Sequence, residues 1–204
     1  MNRSSLHGAA VRGAALAALT VLAACTVAPP QPAALAEAAF NGEAAVAKVR
    51  AAGGANAREL DVQPLRDTQV EDLRQRATAL EKTRKYAEAA AALDQALQIN
   101  ASDPALLQER AEAALLLHRL DDAERFARQA FDGGSKVGPL CRRHWAAIAQ
   151  ARQGKLDGVL AAMKLAQRQD HYDALVPQRT QAMAAQKQAQ AQIDTCTVAA
   201  PARY

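Results

Sequence analysis

The stretch YAEAAAALDQAL at residues 86–97 is the most informative part of the sequence, because it returns twice further along the chain. It reads LDDAERFARQAF at residues 120–131 and LDGVLAAMKLA at residues 156–166. The copies start 34 and 36 residues apart, each on a bulky residue: Tyr86, Leu120 and Leu156. Small or apolar residues follow at offsets of three, seven and ten, which is the spacing of one face of a helix. The sequence therefore predicts a series of similar amphipathic helices.

A second helix is predicted before each of the first two copies. Its packing positions are Leu73, Ala77 and Leu80 in one unit and Leu107, Ala111 and Ala114 in the next. The two units are separated by residues 100–104, where Asp103 can cap a helix and Pro104 can occupy its first position. Two helices in about 34 residues make up one unit of this pattern.

This pattern resembles the tetratricopeptide repeat, a helical hairpin whose second helix opens on a large residue with an alanine three positions later. The resemblance covers about residues 70–169. It departs from the family where the usual turn proline is Ala101, where the first-helix tryptophan is Leu73 or Leu107, and where the third copy has two extra residues.

The resemblance implies an all-α, TPR-like helical-hairpin solenoid of about three repeats at residues 69–171, followed by a C-terminal helix and tail at 172–204. Composition agrees, since aromatic residues make up only 3% of a chain rich in alanine and other helix formers. The alternative is a plain antiparallel helical bundle, which would lack the concave groove that a stack of repeats forms.

Eight residues are expected to line that groove if the family's groove positions carry over. The first helices would present a mixed polar and apolar surface, suited to an extended or helical peptide segment. These residues are Arg74, Thr78, Glu81, Lys82, Gln108, Glu112, Leu115 and Leu116.

The N-terminus has the pattern of an export signal. Arg3 and Arg12 precede an apolar stretch at residues 14–24, which is too short to cross a bilayer as a helix. The stretch ends in Leu22-Ala23-Ala24-Cys25, which resembles the lipobox of bacterial lipoproteins. The resemblance implies that residues 1–24 are a signal peptide and that Cys25 carries the lipid. Thr26, in place of an aspartate, favours the outer membrane, facing the periplasm. The alternative is an ordinary signal peptide cut without lipidation.

Residues 25–68 are expected to hold the lipid anchor, a proline-rich tether and an isolated helix. Three prolines between residues 29 and 32 favour extended polyproline II as a spacer. The helix is predicted from about Leu35 to Gly53, with Leu35, Ala39, Gly42, Val46 and Val49 on one face. Whether this helix packs on the repeats is left open.

If Cys25 is lipidated, Cys141 and Cys196 remain as an even pair in an oxidising compartment, where a disulfide is expected. Closing a loop of this length would stabilise the fold by about 4 kcal/mol in the chain-entropy model. A Cys141–His144 metal or nucleophile pair is the alternative, but a zinc site needs further ligands that the sequence does not supply. Trp145 is expected either in the core or in the groove.

The remaining composition excludes several function classes. The net charge of +4 falls to about +2 without residues 1–24, and both signs are interspersed, so no nucleic-acid partner is expected. We identify no catalytic residue, metal site or cofactor site in the sequence. It therefore suggests a membrane-anchored, non-enzymatic interaction module that binds an envelope protein or peptide segment. The alternatives are a self-associating structural spacer and, third, an envelope enzyme.

Overall fold

The computed structural model describes residues 31–54 and 67–197, which form helices joined by short turns. The elements are α1 (Pro32–Ala39), α2 (Gly42–Gly53), α3 (Thr68–Lys82), α4 (Tyr86–Ile99), α5 (Pro104–Leu116), α6 (Leu120–Gly133), α7 (Pro139–Leu165) and α8 (Gln169–Thr195). The described part of the chain contains no β-strand. The predicted all-α fold is thus confirmed.

Three helical hairpins follow one another in chain order. Helix α3 pairs with α4, α5 with α6, and α7 with α8, while α4 packs on α5 and α6 on α7. This arrangement is the expected solenoid of helical hairpins. Asp103 caps α5 by accepting hydrogen bonds from the backbone N–H groups of Ala105 and Leu106, with Pro104 opening the helix as predicted.

The turns of the first two hairpins share one backbone geometry. Arg84 and His118 each lie two residues before the start of the second helix, and both have a positive φ, 60° and 59°. The following residues, Lys85 and Arg119, each donate a backbone hydrogen bond to a carbonyl five residues earlier. This closes the preceding helix in the way that left-handed caps do. The repeated sequence therefore produces a repeated turn.

The third copy differs, and this corrects our prediction of a separate helix beginning at Leu156. Helix α7 runs without a break through this region. Gly154 occupies the place of the turn residue, yet it stays helical because Phe40 packs against it, with ring carbon Cδ2 2.7 Å from where a Cβ would lie. The periodicity still identified buried positions, since Leu156, Val159 and Met163 are all in the core. The third hairpin is completed by α8, which begins at Gln169 and so includes the predicted C-terminal helix.

The prediction of one isolated helix before residue 54 is also wrong. It is two helices, and α1 begins at Pro32, within the stretch assigned to the tether. Both pack on α7, and α2 also packs on α5. A Cβ on Gly158 would overlap the carbonyl oxygen of Pro32 and lie 2.5 Å from the Cβ of Ala36, so α1 approaches α7 as closely as the backbones allow.

The largest hydrophobic core surrounds α7 and includes side chains from α1, α2, α5, α6 and α8. A smaller core lies between α3, α4 and α5. The predicted signal peptide, Cys25, the polyproline stretch before residue 31 and the tail after residue 197 lie outside the described residues. None of the described helices is both long enough and apolar enough to span a membrane.

Candidate functional site

One face of α3 forms an open cleft that contains three of the predicted groove residues. The cleft has a volume of about 490 Å³ and is lined by Glu71, Arg74, Gln75, Thr78, Ala79, Lys82 and Thr83. These positions recur every three or four residues, so they share one side of the helix. The opposite side of α3 contributes the buried Val70 and Ala77 to the small core with α4.

Arg74 forms ion pairs with two carboxylates at the edge of this cleft. Its Nε donates to Glu109 Oε2 on α5 at 2.9 Å, and its Nη1 donates to Glu71 Oε2 at 2.8 Å. The hydrogen bonds that Arg74 donates to the Glu109 carboxylate hold the pKa of Arg74 above its ordinary value. The guanidinium is therefore fixed between two carboxylates, while Thr78 and Lys82 lie exposed beside it.

The groove positions predicted on α5 are not exposed, and this part of the prediction is corrected. Gln108 and Leu115 have no exposed surface, and Glu112 and Leu116 are 1% and 7% exposed. Helices α2 and α7 cover this face of α5. A Cβ on Gly42 would lie 2.9 Å from the Cα of Leu116, so α2 crosses α5 in direct backbone contact. The chain's own second helix thus occupies the place predicted for a partner on α5.

A polar cluster around the buried Glu112 joins α2, α3, α5 and α7 beside this contact. Glu112 accepts from Arg50 Nε at 2.8 Å, from Arg143 Nε at 3.1 Å and from Gln108 Nε2 at 2.9 Å. Arg50 also donates to both carboxylate oxygens of Glu81, at 2.8 and 2.9 Å. A buried carboxylate is tolerated when charged donors satisfy it, as here. We call these five residues the Glu112 cluster.

Helix α2 is held at its C-terminal end as well. Arg142 donates to the carbonyl oxygens of Ala52 and Gly53, at 3.1 and 3.3 Å. The last carbonyls of a helix lack partners within it and carry partial negative charge, which a guanidinium satisfies. Sequence reasoning missed Arg50, Arg142 and Arg143, because isolated arginines in a charged helical sequence have no distinguishing spacing.

His144 extends the Glu112 cluster into the core. Its Nδ1 lies 2.7 Å from Gln108 Oε1, and its side chain has no exposed surface. Because an amide oxygen only accepts, Nδ1 is the protonated nitrogen and Nε2 is the bare one. Burial, together with the nearby charges of Arg143 and Lys136, lowers the pKa of His144 to about 3. His144 is therefore a neutral structural residue.

Cys141 and Cys196 form the predicted disulfide, with their Cα atoms 5.6 Å apart. It joins the first turn of α7 to the end of α8, and both half-cystines are fully buried. The Gly138 N–H donates to the Cys196 carbonyl at 2.7 Å, closing the same end of the hairpin. A disulfide sulfur is neither a thiolate nucleophile nor a metal ligand, so the alternative pairing of Cys141 with His144 is excluded in this oxidised form.

The sequence left open whether Trp145 lies in the core or in the groove. In the structure it lies in the core. It is 5% exposed, its ring centroid lies 5.0 Å from that of Phe131, and the Arg128 guanidinium carbon lies 4.7 Å from its centroid. It is thus not an anchor for a partner in the cleft.

A second, smaller cleft of about 270 Å³ lies between α2 and the turn that joins α3 to α4. The predicted groove residues Glu81, Lys82 and Leu116 border it, together with Arg50 and Glu43. Most of its charges already face one another, since Arg50 pairs with Glu81, and Glu43 accepts from the Tyr86 hydroxyl at 2.5 Å. The α3 cleft is the larger of the two, and Thr78 and Lys82 are exposed in it.

No group of three or more His, Cys, Asp or Glu residues within residues 31–54 and 67–197 is placed to hold a metal ion. No protein-family model matches the chain, and no curated protein matches it. The α3 cleft, an open surface of polar and charged side chains, is the candidate site. Its side chains can donate and accept hydrogen bonds and form ion pairs.

Proposed function

We propose that this chain is a lipid-anchored, TPR-type adaptor of the bacterial cell envelope, which binds a segment of another envelope protein along α3. The observation that carries this proposal is the difference between the two predicted groove surfaces. The α3 cleft is open, whereas the matching face of α5 is covered by α2. A partner that uses the inner side of the stack would therefore contact α3.

The lining of the α3 cleft suggests the chemistry of the partner. Arg74 and Lys82 lie one helical turn to either side of Thr78, and Gln75 and Thr83 add neutral hydrogen-bonding groups. Such a surface fits an extended or helical segment with acidic and amide side chains, whose carboxylates would pair with Lys82 and compete for Arg74.

The envelope location is supported by the use of the three cysteines. Cys141 and Cys196 are paired, and a stable structural disulfide is typical of exported proteins. Cys25 is then the one cysteine left, at the end of the lipobox-like Leu22-Ala23-Ala24-Cys25. Together these features support export followed by lipidation at Cys25. The outer membrane, with the body in the periplasm, is the location we propose.

Site-specific photo-crosslinking in intact cells would test partner binding. A benzoylphenylalanine at Thr78 should give a discrete adduct with an envelope protein, because this position lies in the cleft. The same group at Gln95, exposed on α4, is the matched control and should give none. Introducing Lys82→Glu beside Thr78 should reduce the adduct at least about threefold, since it reverses a charge at the contact.

Equal adducts from Thr78 and Gln95 would contradict the adaptor proposal. Adducts of twice the mass of the chain would instead favour the self-associating spacer.

A further inference from the structure

Two of the exposed large apolar side chains lie at one end of the molecule. Leu165, at the end of α7, is 58% exposed, and Tyr172, in the second turn of α8, is 37% exposed. The other three in the described residues lie elsewhere: Ile99 ends α4, Val137 precedes α7, and Met183 is midway along α8. We call residues 164–172 the α7–α8 tip.

The N-terminal side of the described chain enters the fold next to this tip. Pro32 and Ala36 pack on Gly158, whereas Phe40 packs on Gly154. Helix α1 therefore runs opposite to α7, and its first residue points towards the C-terminal end of α7. Gly158 and Leu165 are seven residues apart on one helix, which corresponds to about 10 Å.

Only a short length of chain joins Cys25, the proposed lipid-acceptor residue, to the start of α1. Five residues lie between Cys25 and Gln31, the first described residue, so six Cα–Cα steps join the two. A fully extended chain of that length spans about 20 Å at most. The start of α1 is therefore held within that distance of the lipid anchor. Val137 and the disulfide lie at the opposite end of α7, about 40 Å from Leu165 along the helix.

We propose that the α7–α8 tip lies against the surface of the membrane that holds the anchor, with Leu165 entering the boundary between headgroups and acyl chains. Tyr172 suits the same boundary, because its ring is apolar and its hydroxyl is polar. This inference rests on the proposed lipidation of Cys25.

The charges of the tip indicate what kind of lipid surface it fits. Lys164 and Arg168 are balanced by Asp170 and the nearby Asp173, and Arg168 pairs with Asp170 at 2.7 Å. The contact is therefore mainly apolar and does not require anionic lipid. One leucine and one tyrosine bind a bilayer weakly on their own, but a tether of this length keeps them at high effective concentration near it.

The experiment uses the full lipidated chain in vesicles of phosphatidylethanolamine and phosphatidylglycerol. Leu165→Cys is labelled with the fluorophore NBD, and Ile99→Cys, also an exposed apolar position, is the matched control. Flotation is measured first, and reduction of the fluorophore by external dithionite is measured second. We expect the label at 165 to react at least about threefold more slowly than the label at 99. A label on Tyr172→Cys should also be reduced by dithionite more slowly than the label at 99. Agreement between the labels at 165 and 172 excludes an effect of one attachment site.

The outcomes separate this inference from the proposal on which it rests. Chains that float but react equally fast at 165, 172 and 99 overturn the tip contact and leave the anchor intact. Chains that fail to float overturn both. Protection at 165 that disappears in a Cys25→Ser variant, which lacks the anchor, supports both.

Discussion

Helix α7 and helix α3 each open a hairpin, but they differ in how much of their surface is covered. In α7, 15 of 27 residues are buried, because α1, α2, α5, α6 and α8 all pack on it. In α3, 2 of 15 residues are buried, and the helix packs chiefly on α4. Similar helices thus differ according to the helices that pack on them. The covered helix forms the centre of the core, and the open helix leaves a polar surface exposed.

The largest expected effect on stability comes from a substitution in α7, the covered helix. Gly158→Ala should lower the free energy of unfolding by about 3 kcal/mol, because the new Cβ meets the backbone of α1, which cannot move aside like a flexible side chain. Urea unfolding followed by circular dichroism measures this loss. Gly133→Ala is the matched control, since its Cβ would lie 3.8 Å from the nearest carbonyl, that of Ser102. A loss no greater than in this control would mean that α1 does not pack closely on α7.

A smaller effect is expected where α2 covers α5. Glu112→Gln removes the carboxylate that Arg50 and Arg143 share, and it should lower the free energy of unfolding by about 2 kcal/mol. The loss is no larger because both arginines are partly exposed and recover some hydration. The same denaturation measurement applies. In the open hairpin, Glu88→Gln breaks only an exposed pair with Lys85 at 3.7 Å and should cost less than about 0.5 kcal/mol. Similar losses in the two variants would remove the distinction between covered and open regions.

The smallest effect is a pH dependence that belongs to the covered region. His144 has a folded-state pKa of about 3, below its ordinary value. Between the two pKa values the unfolded chain binds a proton that the folded chain does not, so stability falls as pH falls below about 6.5. From pH 7 to 5.5 the wild type should lose about 1 kcal/mol more than His144→Gln, which can still donate to Gln108.

Parallel stability curves for wild type and His144→Gln over that range would show that His144 is not held neutral. The two proteins differ only at residue 144, so the comparison isolates the effect of that side chain.

Residue spacing was a good guide to burial and a poor guide to helix ends. The positions three, seven and ten residues after the start of copies one and two, such as Ala89, Leu93, Ala123 and Ala127, are all buried. The same spacing after Leu156 also identified core residues, but no turn precedes them. The periodicity of apolar residues indicates which side of a helix faces the core. Whether the chain turns at a given residue depends instead on which neighbouring segment packs there. At Gly154, the segment that packs is Phe40, the residue that follows α1.

The predicted groove residues on α3 and those on α5 also differ in their exposure. Arg74, Thr78 and Lys82 line an open cleft, since the described helices leave that side of α3 exposed. Gln108, Glu112, Leu115 and Leu116 were expected in a groove and are buried. Their burial depends on α2, which follows α1 along the chain but reaches α5 only through the tertiary fold.

The sequence alone determined the all-α hairpin architecture and the pairing of Cys141 with Cys196. Helical periodicity is local, and once Cys25 is set aside as the proposed lipid acceptor, the two remaining cysteines leave one partner for each. Only the tertiary structure decided that α7 is continuous, that α2 covers α5 and that the α3 cleft stays open. These outcomes depend on how closely two backbones approach, at Gly158 and Gly42, and on arginines that satisfy a buried carboxylate. Both are contacts between distant segments, which no local pattern encodes.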